Sequence, residues 1–284
     1  MGGFRTAFES CSVKWERLAA VRHHLDATAQ THLKTLYGHL VEPVEQELRP
    51  NVVVAPHGFM HGIPLHALHD GDRYLGERHQ VAYTPSASLY CLPGEMTAFE
   101  GPLFVAFSTN PESFCIQEVE EAASNAAGAT LLINPTIQQL RDAFSVPRAL
   151  VHMAGHAGID AISGKLSWIE TADGRITSRD LINMQIRAKT VIITGCQTAR
   201  RMIQPGDEWL GLMRSFYLSG ASTIVSALWD IRDESARRFA RELYKSFDGN
   251  NAPVAVQQAT AAVRDWRSHP YFWAGFSAFV RKSV

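Results

Sequence analysis

The sequence predicts an α/β fold in which a mostly parallel central sheet is flanked by helices. Short apolar, β-branched runs recur along the chain and alternate with helical stretches of ten or more residues, which is the pattern of βαβ units. Hydrophobic residues make up 46% of the 284 residues and charged residues 19%, so the chain can bury a large core. In a sheet of this kind functional groups lie at the carboxyl ends of the strands, so a functional site is expected there.

The first fifty residues predict a helical segment that precedes the sheet. Leucine, alanine, valine and charged residues recur at helical spacing from about 13 to 48, which fits two helices or one interrupted helix. The Arg-Pro-Asn sequence at 49–51 ends this pattern. The predicted organisation is therefore an N-terminal helical segment, residues 1–50, packed on an α/β domain, residues 51–284.

Apolar runs bounded by glycine, proline or asparagine predict the strands of this domain. The predicted strands are 52–55, 80–84, 103–107, 131–133, 149–154, 190–194, 223–228 and 276–280. The predicted helices are 112–127, 136–144, 208–218, 234–247 and 254–266. Three strand ends lead into small-residue turns that carry a reactive side chain: His57, His156 and Cys196. These turns are the candidate sites.

Charge and cysteine usage exclude several functional classes. The 27 basic and 28 acidic residues nearly cancel, so no nucleic acid or anionic membrane is expected as a direct partner. Four cysteines without CxxC spacing favour a reducing, cytoplasmic compartment over a disulfide framework. No apolar run reaches the roughly 18 residues that a membrane span needs.

Cys196 and His156 are the predicted nucleophile and general base. A thiol attacks well at neutral pH only when a neighbouring group takes its proton, and imidazole is the usual partner. Both residues follow apolar strands, and the ends of adjacent parallel strands lie about 4.8 Å apart. The backbone N–H groups of Ala157 and Cys196 are the predicted oxyanion donors. Position alone leaves open that Cys196 is a small core residue and His156 a structural histidine.

A metal site is the first alternative. His57, His61, His66 and His69 cluster in the sequence, and the histidines at 152 and 156 have the spacing of a zinc-protease motif. That motif needs a helix and a glutamate after the first histidine, whereas Met153 stands there in a predicted strand. We therefore assign no metal ligand and expect no cofactor, and the sequence leaves a bound Ca²⁺ open.

Residues 152–156 (HMAGH) and 195–199 (GCQTA) resemble the HxAxH and ACxTA motifs of CHAT proteases, a caspase-related family linked to separases. Further blocks of the chain are similar to the family in the same order: 52–58, 63–68, 84–88, 206–212, 226–230 and 269–276. The resemblance covers about residues 33–280. Two departures are Ala157, where the family usually has glycine, and Gly195, where alanine or serine is common. Neither departure removes a backbone N–H.

The resemblance implies a three-layer caspase-like fold in which His156 is the base, Cys196 the nucleophile and His152 structural. It also implies that the substrate adds as an extended strand beside residues 226–230, with side-chain pockets for specificity. The residues expected to bind substrate are Ser226, Ala227, Leu228, Trp229 and Asp230, together with Asp160, Asp207 and Glu208. Asp160, Asp207 and Glu208 lie in predicted loops near the proposed cleft, where acidic side chains would favour Lys or Arg before the cleaved bond. Trp229 fits a pocket wall and a core aromatic equally well.

The function that the resemblance implies is a cysteine endopeptidase acting as a regulated bacterial immune or cell-death effector. Its substrate would be another protein, with a pore-forming protein such as a bacterial gasdermin as one candidate. Control would come from a sensor protein or from an N-terminal region missing from this chain. The alternative is a catalytically silent caspase-like interaction module, because a fold does not secure activity. The presence of both His156 and Cys196 favours the enzyme.

Overall fold

The computed structural model describes residues 22–91, 99–155, 157–159, 167–184, 186–194, 211–229 and 231–282. Its helices are α1 Arg22–Leu40, α2 Leu75–Arg78, α3 Ala87–Tyr90, α4 Phe114–Ser124, α5 Ile137–Phe144, α6 Ser178–Asn183, α7 Gly211–Leu218, α8 Asp233–Ser246 and α9 Ala252–Trp266. Its strands are β1 Asn51–Val54, β2 Gln80–Tyr83, β3 Leu103–Phe107, β4 Thr130–Ile133, β5 Arg148–Gly155, β6 Ala157–Ile159, β7 Ser167–Thr171, β8 Gly174–Thr177, β9 Ala188–Ile193, β10 Thr223–Ala227 and β11 Phe276–Val280. Short 3₁₀ turns cover Glu42–Glu47, Gly58–Gly62, Leu65–Ala67 and Pro270–Phe272.

Eight strands form one sheet in the order β1-β2-β11-β10-β9-β5-β3-β4. Every neighbouring pair is parallel except β10 and β11, which are antiparallel. All eight strands predicted from the apolar runs are present. Burial on both faces explains why the inner strands, such as β3 and β9, are continuous apolar runs rather than alternating ones. The edge strands β1 and β4 are apolar too, but each has exposed residues along one face, such as Val53 and Leu131.

Helices cover both faces of this sheet, so the fold has three layers as predicted. One core cluster joins α1, α5, α6 and α7 to alternate residues of the strands, such as Val105 and Val191. The other cluster joins α4, α8 and α9 to the intervening residues, such as Phe104 and Ile192. The period of two along each strand therefore divides the core between the two faces.

A second sheet, in the order β6-β7-β8, was not predicted. It is an antiparallel meander that continues from the end of β5, and Ile169 and Ile176 pair across it in the buried core. Helix α6 follows it directly and begins with a capping box between Thr177 and Asp180. The first strand of this meander, β6, begins two residues after β5 ends.

Candidate active site

The predicted catalytic residues follow two strands that lie side by side. In the parallel pair of β5 and β9, His152 is opposite Ile192 and Met153 is opposite Ile193. One residue further on, the N–H of Thr194 donates to the Met153 carbonyl at 3.2 Å. His156 and Cys196 themselves lie outside the described residues, as do Asp160, Asp207, Glu208 and Asp230. The structure therefore describes the two strand ends from which the chain enters the predicted dyad.

Gly155 is the last residue of β5, and its surroundings require glycine. Its φ is +154°, and a Cβ built on it would lie 2.6 Å from the Phe107 Cβ and 3.0 Å from the Phe107 carbonyl oxygen. Gly155 pairs with Phe107 at the end of β3, so the two backbones touch there. A side chain at this position would displace the chain one residue before His156.

A buried polar cluster ties the two strand ends to the helices behind them. The Nε2 atom of His152 lies 2.9 Å from Glu118 Oε1 and 3.1 Å from Thr194 Oγ1. The Thr194 hydroxyl also donates to Glu118 Oε1, at 2.5 Å. On the other side of the ring, the Tyr244 hydroxyl lies 2.9 Å from His152 Nδ1. We call these residues, Glu118, His152, Thr194 and Tyr244, the polar clamp.

Three of the four residues of the polar clamp are buried, so water cannot replace a hydrogen bond that is lost there. His152 is 0% exposed, and Glu118 and Thr194 are each 4% exposed. Burial, together with the nearby charge of Glu118, raises the pKa of Tyr244 well above its ordinary value, so its hydroxyl keeps its proton. That proton can be donated to Nδ1 while Nε2–H donates to Glu118, which satisfies both ring nitrogens.

Four separate elements supply the polar clamp. Glu118 lies on α4. Ser113 caps the start of this helix, and its hydroxyl accepts the Cys115 N–H at 3.3 Å. The neighbours of Glu118 on the inner face of α4 are apolar, so an acidic residue on this face is unusual. Sequence reasoning missed Glu118, Thr194 and Tyr244. An acidic residue on the apolar face of a predicted helix was the signal that could have identified Glu118.

The predicted substrate segment continues β10 beyond its neighbour β9. Ser226 pairs with both Ile193 and Ser277, whereas Ala227 pairs with Phe276 of β11. Leu228 then donates its N–H to the Gly275 carbonyl at 2.8 Å. The side chains of Ser226, Ala227 and Leu228 are buried. Their backbone, rather than their side chains, is what an extended peptide would meet.

Trp229 is only partly buried, and it is held in place. Its Nε1 donates to the Tyr271 carbonyl at 3.0 Å, and its ring packs against both core clusters. A Cβ on Gly275 would lie 3.0 Å from Trp229 Cε2 and 2.7 Å from Ile231 Cδ1, so glycine leaves room for the indole. Trp229 therefore packs against the core, and its role as a wall of a substrate pocket stays a prediction.

The histidines of the metal alternative have other contacts. His66 Nδ1 lies 2.8 Å from the Tyr83 hydroxyl, and His69 Nδ1 accepts the Gly71 N–H at 3.0 Å. Within the described ranges no three His, Cys, Asp or Glu side chains are grouped as metal ligands would be.

Among the helices that the structure describes, none combines the length and the apolar character needed to cross a membrane.

Comparisons with known proteins bear on the family. A family model described as CHAT domain matches residues 30–281. Tetratricopeptide repeat protein 28 of Mus musculus is 29% identical to the chain over 105 residues, which are 36% of this chain and 4% of that protein. The chain thus spans a small part of this curated relative.

Solved structures share the fold at low sequence identity. The separase of the Saccharomyces cerevisiae separase–securin complex has a TM-score of 0.53 and 17% identity, over 79% of this chain and 15% of the matched one. The Arg-specific cysteine proteinase gingipain R has a TM-score of 0.51 and 12% identity, over 91% of this chain and 68% of its own. A complex of Porphyromonas gingivalis RgpB pro- and mature domains has a TM-score of 0.54 and 11% identity, over 92% and 70% of the two chains.

These structural neighbours confirm the predicted caspase-like fold, with its eight-stranded, mostly parallel sheet between two helical layers. The family match begins inside α1 and ends at the residue after β11, so it includes every strand that the structure describes. Because that match covers most of the sequence, the chain belongs to the CHAT-domain family.

Proposed function

We propose that the protein is a cysteine endopeptidase in which Cys196 is the nucleophile and His156 the general base. The observation that carries this proposal is the polar clamp, which fixes the ends of two adjacent strands immediately before the two residues. His156 follows His152 by four residues, and Cys196 follows Thr194 by two. Rigid support of this kind is what a pair of reacting side chains needs. Membership of the CHAT family and the caspase-like fold support the same reaction class.

The proposed reaction is acyl transfer through a thioester. His156 takes the Cys196 proton, and the thiolate attacks the peptide carbonyl, forming a C–S bond. The N–H groups of Ala157 and Cys196 stabilise the oxyanion of the tetrahedral intermediate. His156 then protonates the leaving amine as the C–N bond breaks, and it activates the water that hydrolyses the thioester. The reaction requires no cofactor.

The proposed substrate binds as an extended strand beside residues 226–230. The β9-facing edge of the backbone after Ser226 is the natural place for it, because β9 ends at Ile193 while this segment continues along β11. Trp229 would contact a substrate side chain. Asp160, Asp207 and Glu208 would favour Lys or Arg before the cleaved bond.

The biological setting is a further part of the proposal. The protein would act in the cytoplasm as a regulated bacterial immune or cell-death effector, with a protein substrate such as a pore-forming protein of the gasdermin type. A sensor protein or an additional N-terminal region would control it. The similarity to part of a tetratricopeptide repeat protein supports control by attached repeats.

The test combines peptide cleavage with thiol labelling. Among the described cysteines, Cys91 is exposed and Cys115 is buried, and burial raises the pKa of the Cys115 thiol. We therefore expect Cys115 to label slowly, and Cys91→Ser removes the exposed competitor. At pH 6 an ordinary thiol is mostly protonated, so fast iodoacetamide labelling at that pH reports an activated one.

We expect the Cys91→Ser protein to cleave members of a positional-scanning peptide library and to label at Cys196 within minutes. Cys196→Ala and His156→Ala in the same background should lose cleavage, and His156→Ala should also slow the labelling of Cys196. Cleavage retained in both variants would refute the mechanism. No cleavage together with Cys196 labelling as slow as that of Cys11 would favour the silent interaction module.

A further inference from the structure

A cavity of about 430 Å³ lies at the amino ends of three neighbouring strands. Pro102 precedes β3, Leu150 lies near the start of β5 and Lys189 near the start of β9, and all three residues line the cavity. Because β5 and β9 are parallel and lead into His156 and Cys196, the cavity lies at the opposite end of these strands from the predicted dyad. Its volume is in the range of about 300–1,000 Å³ that is typical of small-molecule sites.

Three aromatic residues in the wall of this cavity remain partly exposed to solvent. Phe99 lies just before β3, Tyr244 lies on α8, and Phe247 follows that helix. The ring centroids of Tyr244 and Phe247 are 6.4 Å apart, and the two rings are nearly perpendicular. The Tyr244 hydroxyl is occupied by its contact with His152 Nδ1 at 2.9 Å. A ligand that covered these rings would remove apolar surface from water, which is favourable.

The ammonium group of Lys189 brings a positive charge to this cavity. Lys189 is partly exposed, and its Nζ donates a hydrogen bond to Asn250 Oδ1, which also belongs to the cavity wall. A lysine ammonium group has three donors, so this bond leaves others unused. No carboxylate pairs with this ammonium group in the part of the chain that the structure describes. A ligand anion can therefore bond it directly.

The remaining polar side chains of the wall already have partners within the protein. Asp248 Oδ1 accepts the N–H groups of Asn250 at 2.8 Å and Asn251 at 3.0 Å, which offset part of its negative charge. The side-chain amide of Asn125 donates to the Glu121 carbonyl at 2.9 Å. The ammonium group is thus the place where a ligand gains a charge-assisted hydrogen bond, and such bonds are about twice as strong as neutral ones.

We propose that this cavity binds a small amphiphilic carboxylate, that is, a carboxylate attached to an aryl or acyl body. The ligand carboxylate accepts from Lys189 Nζ, and the apolar body packs against Phe99, Tyr244 and Phe247. Both parts are required: a neutral analogue loses the charge-assisted bond, and a carboxylate without a body loses the apolar contact. The site is separate from the proposed peptidase activity and does not depend on it.

The test compares three carboxylates with their neutral amides: phenylpropionate and phenylpropionamide, indoleacetate and indoleacetamide, hexanoate and hexanamide. Acetate is the carboxylate without an apolar body. Affinity is measured by ligand-observed NMR titration on the full chain carrying Cys196→Ala, at about pH 7, where a carboxylic acid is ionised. We expect at least one of the three carboxylates to bind, its amide to bind about fivefold more weakly or less, and acetate not to bind.

Lys189→Met removes the charge and keeps an unbranched apolar stem. It should fold, because Lys189 is partly exposed and loses one hydrogen bond to an exposed asparagine. We expect it to weaken carboxylate binding about fivefold or more while amide binding stays unchanged, so that the preference for the carboxylate disappears.

Lys34→Met is the matched control, because Lys34 lies on α1, which packs on the other face of the sheet, and does not line the cavity. It should keep the affinity of the parent protein. The proposal is overturned if none of the three carboxylates binds, if each amide binds as tightly as its acid, or if acetate binds equally well. It is also overturned if the preference for the carboxylate survives in Lys189→Met, or if Lys34→Met abolishes it to the same extent.

Discussion

Tyr244→Phe is the most direct test of the polar clamp, because it deletes one hydroxyl and keeps the ring. Tyr244 lies on α8, and the centroid of its ring is 5.7 Å from that of His152 on β5. Its ring also lies 5.8 Å from Phe104, again between centroids. Phenylalanine preserves both contacts. The single loss is the hydroxyl that lies 2.9 Å from His152 Nδ1.

The expected cost follows from the burial of His152. With 0% exposure, its ring cannot replace the lost donor by bulk water. Leaving one buried acceptor unsatisfied costs about 1–3 kcal/mol. We therefore expect the free energy of unfolding to fall by about that amount. Tyr90→Phe is the control, since Tyr90 is partly exposed and no hydrogen bond of its hydroxyl is seen in the described part of the chain; its effect should stay within about 0.5 kcal/mol.

Urea denaturation followed by circular dichroism, in the Cys196→Ala background, measures this difference. A double-mutant cycle with Glu118→Gln extends it, because Glu118 and Tyr244 bond opposite nitrogens of one ring. The two changes should be non-additive by about 0.5 kcal/mol or more. If Tyr244→Phe changes stability no more than Tyr90→Phe does, the hydroxyl does not hold His152, and our account of the clamp is wrong.

Two further predictions concern Gly155 and His269. Gly155→Ala forces a Cβ to within 2.6 Å of Phe107, so we expect a loss of about 1–3 kcal/mol in urea denaturation and at least a tenfold loss of peptide cleavage. Burial lowers the pKa of His269 to about 4, and its Nδ1 accepts the Tyr271 N–H at 3.2 Å. The unfolded chain binds the proton more readily, so roughly 3 kcal/mol of stability, present above pH 6.5, should be lost as the pH falls toward 4. His269→Asn retains an acceptor and should flatten this pH dependence.

Each of these predictions has its own control. Gly220→Ala also places alanine at a positive φ, +100°, but no atom of the residues that the structure describes lies within 4 Å of the added Cβ, so it isolates backbone strain. If it costs as much as Gly155→Ala, the contact with Phe107 does not matter. In the pH series, burial lowers the pKa of His66 as well as that of His269. Part of the dependence of stability on pH should therefore remain in the His269→Asn protein. An unchanged slope would contradict the assigned role of His269.

The central sheet was predictable because its inner strands are buried on both faces. Residues 103–107 and 190–193 consist almost wholly of apolar side chains. In a chain of ordinary composition, a short run of this kind predicts a strand that is buried on both faces. The β6–β8 meander carries a weaker signal. Its strands are three to five residues long, and only one face of β8 is buried. The Asp173-Gly174 sequence, where the turn after β7 leads into β8, is a hairpin turn signal that the apolar-run criterion does not use.

The candidate site was predictable only in part, because some of its residues form local motifs and others are far apart in the sequence. His156 and Cys196 can be found from strand ends and motifs, which are local in sequence. The polar clamp is not local: its hydrogen bonds join residues 34, 42, 76 and 92 positions apart. No periodicity within one element shows that Glu118 on α4 and Tyr244 on α8 meet the same imidazole ring. Only the assembled layers bring them together.

The chemistry of the polar clamp explains why such a cluster suits this position better than an apolar one. Apolar contacts are non-directional, so packed strands and helices can shift by small amounts at little cost. Hydrogen bonds to a buried ring have fixed directions, and each one that a shift breaks leaves a polar group unsatisfied, at about 1–3 kcal/mol. His152 on β5 and Thr194, the residue after β9, share one carboxylate oxygen, so the two strand ends cannot move apart without breaking bonds to Glu118. The clamp therefore fixes the two strand ends that precede His156 and Cys196, and the proposed proton transfer between these two residues would depend on that spacing.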